Sequence, residues 1–326
     1  MKKRLLPLLM IVMLLLFPVV IYAQIPPNLG ATSSFAVFTG NGAFNEYGTS
    51  STVTGDVGTN VGAFNAFPPG TLIDGIKYLP SSPLAVQAAT DVAVAYSDLT
   101  QAGTAISVIL SGQTLTPGVY TTGAGSSFVA SGVLTLDGGG DPNALFIIRI
   151  GGALSTGVSS SVILINSASP SNVYWQVDGA FSLGDNSVFV GTMIAANAVE
   201  LLEGSSVIGR VLSREGAISL YNNIVTLFPE DAGTISGTAS VCQEQTGVSY
   251  SVAEINRATD YIWTLPAGAS IVSGSNTNSI TVDFSAVAVS GNITVQGSNA
   301  AGTGAVSPNY AVTVNPLPLT SAVYHH

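Results

Sequence analysis

The chain has 326 residues, of which 47% are hydrophobic and only 8% are charged. An average globular domain carries about 25% charged residues, so the surface must be built largely from Ser, Thr, Asn, Gly and Ala, while the aliphatic residues are numerous enough to exclude a disordered chain. The formal net charge of −10 argues against nucleic acid and anionic lipid as partners.

Residues 1–23 have the pattern of a secretory signal peptide. Three basic residues at positions 2–4 precede an apolar run, and Ala23 stands where cleavage requires a small residue. An uncleaved signal anchor is the alternative, but Pro18 interrupts the run, and no later stretch is long and apolar enough to span a bilayer. We therefore expect a secreted, extracellular protein without membrane insertion. Removal of the three positive charges would take the net charge from −10 to −13.

Cys242 is the only cysteine, so the chain has no internal disulfide. A nucleophilic thiol needs a nearby base, and the sequence offers no evident one for Cys242. We expect a buried free thiol at this position.

Residues 28–75 are strand-like with glycine turns, and the only convincing helix follows at 83–102. Ser82 can cap this helix, Pro83 suits its first position, and Gly103 supplies a left-handed stop. One side of the helix carries apolar residues at helical spacing, namely Leu84, Ala88, Val92, Ala95 and Leu99. The alanines make this side flat, which favours packing along a sheet.

From about residue 113 to residue 228, three types of short strand follow one another in rotation, separated by turns. The first type includes ALFIIRI (144–150), NVYWQV (172–177), GTMIAA (191–196) and GRVLSR (209–214). The second includes GALSTG (152–157), AFSLGD (180–185), AVELLE (198–203) and AISLYN (217–222). The third includes SVILIN (161–166), SVFVG (187–191), SVIGR (206–210) and IVTLF (224–228). Three strands and three turns in about 20 residues make one coil of a β-solenoid.

Side chains alternate across a strand, so the second strand type separates into inward and outward columns. The inward residues are Leu154, Thr156, Phe181, Leu183, Val199, Leu201, Ile218 and Leu220. One outward column is Ser155, Ser182, Glu200 and Ser219, and its neighbour is Gly157, Gly184, Leu202 and Tyr221. The first strand type is apolar on both sides and needs a cover, which the helix can provide. The second face is then left open and flat.

The repeating pattern of short strands ends at about residue 230. Residues 24–230 are predicted to form the solenoid domain, 231–318 a separate small β-sandwich, and 319–326 a linker or truncated tail. Strands are expected around SYSV, YIWTLP, SITVDF, ITVQGSN and YAVTVNP. Tyr261 and Trp263 are expected to pack the core of this module.

A series of phrases in residues 28–228 resembles the secreted ice-binding (antifreeze) proteins of the β-solenoid type. These are LGATSSFAVF (29–38), TGDVGTN, FPPGT, AATDVAVAYSDL, LTPGVY (115–120), LDGGGDPNALFIIRIG (136–151), NVYWQVDGAFSLG and GRVLSREGAISLYNN. The resemblance implies a mainly all-β protein: a right-handed β-helix of triangular section with one long helix alongside. It also implies a flat face that binds ice, thermal hysteresis and inhibition of ice recrystallisation. The later stretch VCQEQTGVSYSVAEINRATDYIWTLPAGA resembles a PKD-like, immunoglobulin-type module.

The resemblance places the ice-binding residues on the outward columns of the second strand type. The expected residues are Ser131, Ser155, Gly157, Ser182, Gly184, Ser219 and Tyr221. Val129 and Ser131 are taken to continue the two columns one coil earlier, and Asn45 with Tyr47 to extend them from the N-terminal strand. The family's usual ice face is rich in Thr, which is replaced here by Ser and Gly. Glu200 is the largest departure, because a carboxylate organises its own water.

Other interpretations remain open. The Ser and Gly columns are also compatible with a solvated solenoid face that binds nothing. Polysaccharide lyases and hydrolases share the β-helix but need clustered carboxylates or bases; the solenoid has no His, and its acids scatter over several faces and turns, so no catalytic residue is predicted. An adhesin or matrix component is a third possibility, with the C-terminal module as a tether.

The turn DGGGDPN at 137–143 offers Asp137, Asp141 and Asn143 as oxygen ligands for calcium. Asp and Asn in a glycine turn more often cap backbone amides, so no metal or other cofactor is predicted. The expected partner is the surface of an ice crystal, bound by a monomer.

Overall fold

The computed structural model describes residues 24–317, so the predicted signal peptide at 1–23 and the predicted tail at 319–326 lie outside the described residues. The described part consists of a three-faced β-solenoid followed by a small β-sandwich. It contains one α-helix and two short 3-10 helices, at Gly30–Ser34 and Pro170–Asn172. No helix among these residues is long and apolar enough to cross a membrane.

The solenoid contains 22 short strands and the helix. The N-terminal part comprises β1 (Phe35–Thr39), β2 (Phe44–Glu46), β3 (Thr52–Thr54), β4 (Asp56–Thr59), β5 (Phe64–Asn65), β6 (Thr71–Ile73), β7 (Lys77–Tyr78) and α1 (Pro83–Asp98). The next strands are β8 (Thr104–Ala105), β9 (Thr114–Leu115), β10 (Gly118–Thr121), β11 (Ser126–Phe128), β12 (Val133–Asp137), β13 (Phe146–Ile150), β14 (Leu154–Thr156) and β15 (Ser161–Ile165). The last are β16 (Val173–Val177), β17 (Phe181–Leu183), β18 (Val188–Ala195), β19 (Val199–Leu201), β20 (Ser206–Ser213), β21 (Ile218–Leu220) and β22 (Ile224–Thr226).

All pairings between solenoid strands are parallel, and they define three faces. The first face runs in the order β8, β10, β13, β16, β18, β20, β1, β4 and β7. The second face runs β11, β14, β17, β19, β21, β2 and β5. The third face runs β9, β12, β15, β18, β20, β22, β3 and β6. The long strands β18 and β20 turn a corner, so their first halves belong to the third face and their second halves to the first.

The coils do not stack in sequence order. The N-terminal strands β1, β2 and β3 pair with β20, β21 and β22, at the C-terminal end of the stack. The helix then follows β7, and β8 begins the opposite end of the first face. Strands far apart in the chain therefore become neighbours where β1, β2 and β3 join β20, β21 and β22.

The helix covers the first face, as predicted from the alanine pattern. Its buried residues Ala85, Ala88, Val92 and Ala95 pack against side chains such as Ile194 of β18. Small side chains let the helix lie close to the sheet, and the first face is thus buried on both sides. The inner sides of all three faces enclose a second apolar core around Trp175.

The helix ends earlier than predicted. It stops at Asp98, and Gly103 has no left-handed backbone; a Cβ there would lie 3.0 Å from the backbone of Val119. The carbonyl of Asp98 accepts the side-chain amide of Gln101 at 2.9 Å, which satisfies a helix-end acceptor without a glycine cap. Ser82 occupies the N-cap position but makes no capping bond through its side chain.

Buried hydroxyl groups hold the corners of the solenoid. Thr39 and Thr59 donate to the carbonyls of Gly216 and Gly42, each at 2.7 Å. At the corner between the second and third faces, the amide of Asn223 donates to the carbonyl of Leu202 at 2.7 Å. These bonds satisfy turn carbonyls that the parallel ladders leave free, and they fix the angle between faces.

The C-terminal module has two sheets. Its strands are β23 (Ser236–Gly237), β24 (Ser240–Cys242), β25 (Val248–Ser251), β26 (Asp260–Thr264), β27 (Ala269–Ser273), β28 (Ser279–Phe284), β29 (Gly291–Asn299), β30 (Gly302–Thr303) and β31 (Tyr310–Asn315). Tyr261 is buried in its core and Trp263 packs against that core, partly buried. The expectation of a buried thiol is wrong: Val241 points inward on β24, which leaves Cys242 exposed.

Candidate functional site

The second face presents a straight column of small polar side chains. Ser127, Ser155, Ser182, Glu200, Ser219, Asn45 and Asn65 lie side by side on successive strands. The inward residues predicted for this face are buried, apart from the partly buried Thr156. The structure therefore agrees with the inward and outward positions that the sequence predicted for the second strand type.

The register expected for the coil before Ser155 is wrong by two residues. Ser127, not Val129, pairs with Ser155. Ser131 lies beyond the end of β11, in a turn with φ of +55°, and is not part of either column. The stretch SFVASG alternates in either register, so only strand pairing could decide between them.

The neighbouring column contains glycine at two positions because adjacent coils pack too closely there for a side chain. A Cβ at Gly157 would lie 2.5 Å from the backbone nitrogen of Ala130, and one at Gly184 would lie 2.6 Å from the carbonyl oxygen of Gly157. Gly184 is buried, and its amide donates to the hydroxyl of Thr156 at 2.8 Å. These two positions leave no room for a side chain, which keeps this part of the face flat.

The other half of the second face is neither flat nor uncharged. Tyr221 stacks on Tyr47, with ring centroids 5.1 Å apart, and Glu200 interrupts the serine column between Ser182 and Ser219. The pKa of Tyr221 is raised by partial desolvation, by the charge of Glu200 and by Tyr47. A carboxylate and two phenol rings thus occupy the part of the face formed by β19, β21 and β2.

Sequence reasoning missed a third column on this face. Six alanines form it: Ala43, Ala63, Ala153, Ala180, Ala198 and Ala217. Their carbonyls accept backbone amides from the adjacent coil at 2.8 to 3.0 Å. The recurrent pattern of Ala two residues before the outward polar residue was the available signal, and Gly125 before Ser127 continues it.

Sequence reasoning also left the third face without a role. Its outward side chains form two columns, defined here as the third-face columns. The first column is Val133, Ser161, Val188, Ser206, Ile224, Thr52 and Thr71; the second is Thr114, Thr135, Ile163, Val190, Ile208, Thr226, Thr54 and Ile73. None of these side chains is charged. The signal was the same period-two alternation that identified the second face.

The cations of residues 24–317 all serve the structure away from the second- and third-face columns. They are Lys77, Arg149, Arg210, Arg214 and Arg257. Arg210, for example, donates to the carbonyl of Ser33 at 2.8 Å and lies over the ring of Phe228. Burial lowers the pKa of Arg210 to about 10.

The acidic turn at 137–143 is organised by hydrogen bonds to its own backbone. Asp137 accepts the amide of Gly139 and the side chain of Asn166, each at 2.9 Å, and these bonds lower its pKa. Asp141 accepts the amide of Asn143 at 2.9 Å. Within residues 24–317, no three His, Cys, Asp or Glu side chains come together as a metal site would require.

Known proteins share this architecture. Residues 23–226 match the family described as Ice-binding-like, which covers the whole solenoid. The chain belongs to this family. Residues 228–312 match the PKD-like domain, which corresponds to the C-terminal module.

Relatives of the ice-binding-like solenoid come from several bacteria. An ice-binding protein of Nostoc sp. (strain HG1) is 36% identical over 203 residues, covering 61% of this chain and 73% of the relative. Ice-binding protein 1 of Shewanella frigidimarina is 33% identical over 232 residues, covering 61% of this chain but only 26% of that protein.

Solved structures agree with the fold of the solenoid. The ice-binding protein from an Antarctic biological consortium has a TM-score of 0.57 and 35% identity, covering 63% of this chain and 92% of that one. The ice-binding protein of an Antarctic Flavobacteriaceae bacterium has a TM-score of 0.57 and 38% identity, covering 62% and 48%. These relatives and solved structures are all named as ice-binding proteins. The part of this chain that belongs to the shared family is the solenoid.

Proposed function

We propose that this chain is exported and adsorbs to ice crystals through flat faces of its solenoid, giving thermal hysteresis and inhibiting ice recrystallisation. The observation that carries the proposal is the set of in-register columns of small, uncharged side chains on parallel coils. Membership of the ice-binding-like family supports it. The low charge of the whole chain is also compatible with an extended binding surface.

Adsorption follows from regular spacing and rigidity. Equivalent residues on stacked strands repeat about every 4.8 Å, so hydroxyl and methyl groups can hold water in an ordered array that merges with the ice lattice. Individual contacts are weak, and binding therefore depends on a large surface that is already in its bound geometry. The hydroxyl groups that brace the corners, such as those of Thr39 and Thr59, supply that rigidity. A monomer suffices, because one solenoid contains the whole array.

On the second face, Ser155, Ser182 and Ser219, together with the tight glycines Gly157 and Gly184, are the proposed ice contacts. Tyr221 lies at the margin of this patch, and Ser131 is replaced by Ser127 as its extension. The usable area is limited by Glu200 and the tyrosine stack. We therefore assign this face a moderate share of the adsorption.

A tether is the second function to be considered, because the C-terminal module is joined to the solenoid by specific contacts. Arg257 of the module pairs with Glu230 at 3.1 Å, and the side-chain amide of Asn299 donates to the carbonyl of Leu227 at 3.0 Å. An ice-binding solenoid attached through this module to a cell surface or matrix would hold that surface at ice.

The experiment uses purified residues 24–326 in a nanolitre osmometer, where crystal shape and the hysteresis gap are recorded. Faceted crystals with a measurable gap are expected; round, freely growing discs would reject the proposal. Ser182→Tyr should lower the gap if the second face contributes. Ser270→Tyr, at an exposed strand position of the C-terminal module, is the matched control.

A further inference from the structure

We infer that the third face is an additional ice-contacting surface, larger than the intact part of the second face; this assignment rests on the proposed function. The second of the third-face columns extends over eight strands, from β9 to β6, and the first over seven, from β12 to β6. At roughly 4.8 Å per strand the second column is about 34 Å long and the first about 29 Å, and residues two apart along a strand set the columns about 7 Å apart. No outward charge interrupts either column.

The third-face columns combine hydroxyl and branched aliphatic groups. Thr supplies six positions and Ser two, while Ile and Val supply the remainder. Within residues 24–317, none of these Thr and Ser hydroxyls hydrogen-bonds to another protein group. The corner hydroxyls, such as that of Thr39, are by contrast bonded to backbone carbonyls. The column hydroxyls are thus left available to solvent water.

The aliphatic members of these columns are unusually exposed. Ile224 is 56% exposed, Ile163 is 43% and Ile73 is 41%, with the C-terminal module in place. Val190 alone among the column residues is buried, at 4% exposure, so one position of the second column is lost. Exposed apolar groups aligned with hydroxyls mark an interaction surface, and they cannot organise the tightly bound hydration shell that a charge would hold.

Ice is the occupant that fits this pattern. These columns carry no charged side chain, so none of their residues holds a hydration shell that would oppose an ordered layer of water. They offer a repeated, uncharged array whose period is set by strand stacking and whose members differ by no more than a few atoms. Thr54 and Thr226 lie side by side in the second column near its β6 end, and Ile224 lies beside Thr52 in the first, which makes this patch the sharpest place to test.

The test compares Thr226→Tyr and Ile224→Lys with two matched controls on exposed strand positions of the module, Thr313→Tyr and Ile262→Lys. All five proteins, including the wild type, are checked by circular dichroism and thermal melting and then measured for thermal hysteresis. Each third-face variant is expected to lose at least about twofold in hysteresis, because a bulky ring or a charge breaks a preorganised array, while both controls keep the wild-type value. Two different substitutions guard against one of them disturbing the fold.

Wild-type hysteresis in both folded third-face variants would overturn the assignment of this face and leave the proposed function intact. Absence of ice shaping by the wild-type protein would instead reject the proposed function itself, and the assignment with it. Sedimentation velocity tests a second copy as the occupant. A wild-type dimer that Ile224→Lys dissociates without loss of hysteresis would overturn the assignment in favour of self-association.

Discussion

Tyr47 stacks on Tyr221 on the second face, with an angle of 23° between rings whose centroids lie 5.1 Å apart. The two residues come from opposite ends of the solenoid sequence and meet because β2 pairs with β21. Their rings lie on a face whose other outward residues are mostly Ala, Gly, Ser and Asn. The stack therefore marks the boundary of the flat area, with Glu200 on the strand next to β21.

Replacing Glu200 by Thr should increase thermal hysteresis. The carboxylate lies between Ser182 and Ser219 in the outward column, where its tightly held hydration opposes an ice-like layer. Thr would restore a hydroxyl and a methyl group at this position. The gap is measured in the osmometer at equal protein concentration, with Glu254→Thr on the exposed surface of the module as control. An unchanged gap in Glu200→Thr would mean that the second face does not touch ice.

The phenol of Tyr221 should titrate at lower pH once Glu200 is neutralised. Its pKa is raised by desolvation first and then by the charge of Glu200 and by Tyr47, so Glu200→Gln removes one cause of the shift. The folded-state pKa of Tyr221 lies above the ordinary value of about 10. The stability that the neutral phenol contributes to the folded state is therefore fully present below that pH and is lost as the pH rises through the folded-state pKa. NMR of ring-labelled tyrosine, assigned with Tyr221→Phe, measures the change. An identical titration in Glu200→Gln would contradict the contact.

Enlarging the packed side of the helix should destabilise the solenoid. Ala88 is fully buried between α1 and the first face, and Ala88→Phe would force the helix away from the sheet at a cost of roughly 1–3 kcal/mol in the free energy of unfolding. Val94 is 46% exposed on the same helix, so Val94→Phe is the control. Urea unfolding followed by circular dichroism compares them. Equal stability of the two variants would disprove close packing at Ala88.

Trp175 should be the costliest single side chain to remove from the inner core. It is fully buried, its indole N–H donates to the carbonyl of Val190 at 3.0 Å, and its ring centroid lies 4.7 Å from that of Phe189. Trp175→Ala should cost about 3–5 kcal/mol in the free energy of unfolding. Trp263→Ala is the comparison, since Trp263 is only partly buried in the module. Chemical denaturation monitored by circular dichroism gives both values, and a smaller loss for Trp175 would contradict the core assignment.

The architecture could be predicted from local patterns in the sequence. Period-two alternation assigned residues such as Phe181 and Leu183 to the inside, and the recurrence of three strand types predicted coils. The small residues Ala88 and Ala95 predicted a helix lying on a sheet, which the buried first face confirms. These features depend on residues close together in the chain, and that is why the sequence alone determined them.

The tertiary structure decided which residues share a surface. Parallel pairing brings Tyr47 beside Tyr221 and Thr54 beside Thr226, and it selects Ser127 over Val129 as the neighbour of Ser155. Local alternation is the same in either register and says nothing about which distant coil is adjacent. Whether an outward column is buried or open depends on where the helix lies: it covers the first face and leaves the third exposed. The position of the helix depends on contacts between strands far apart in sequence. These contacts form because the chain passes through α1 and continues with β8 at the opposite end of the first face.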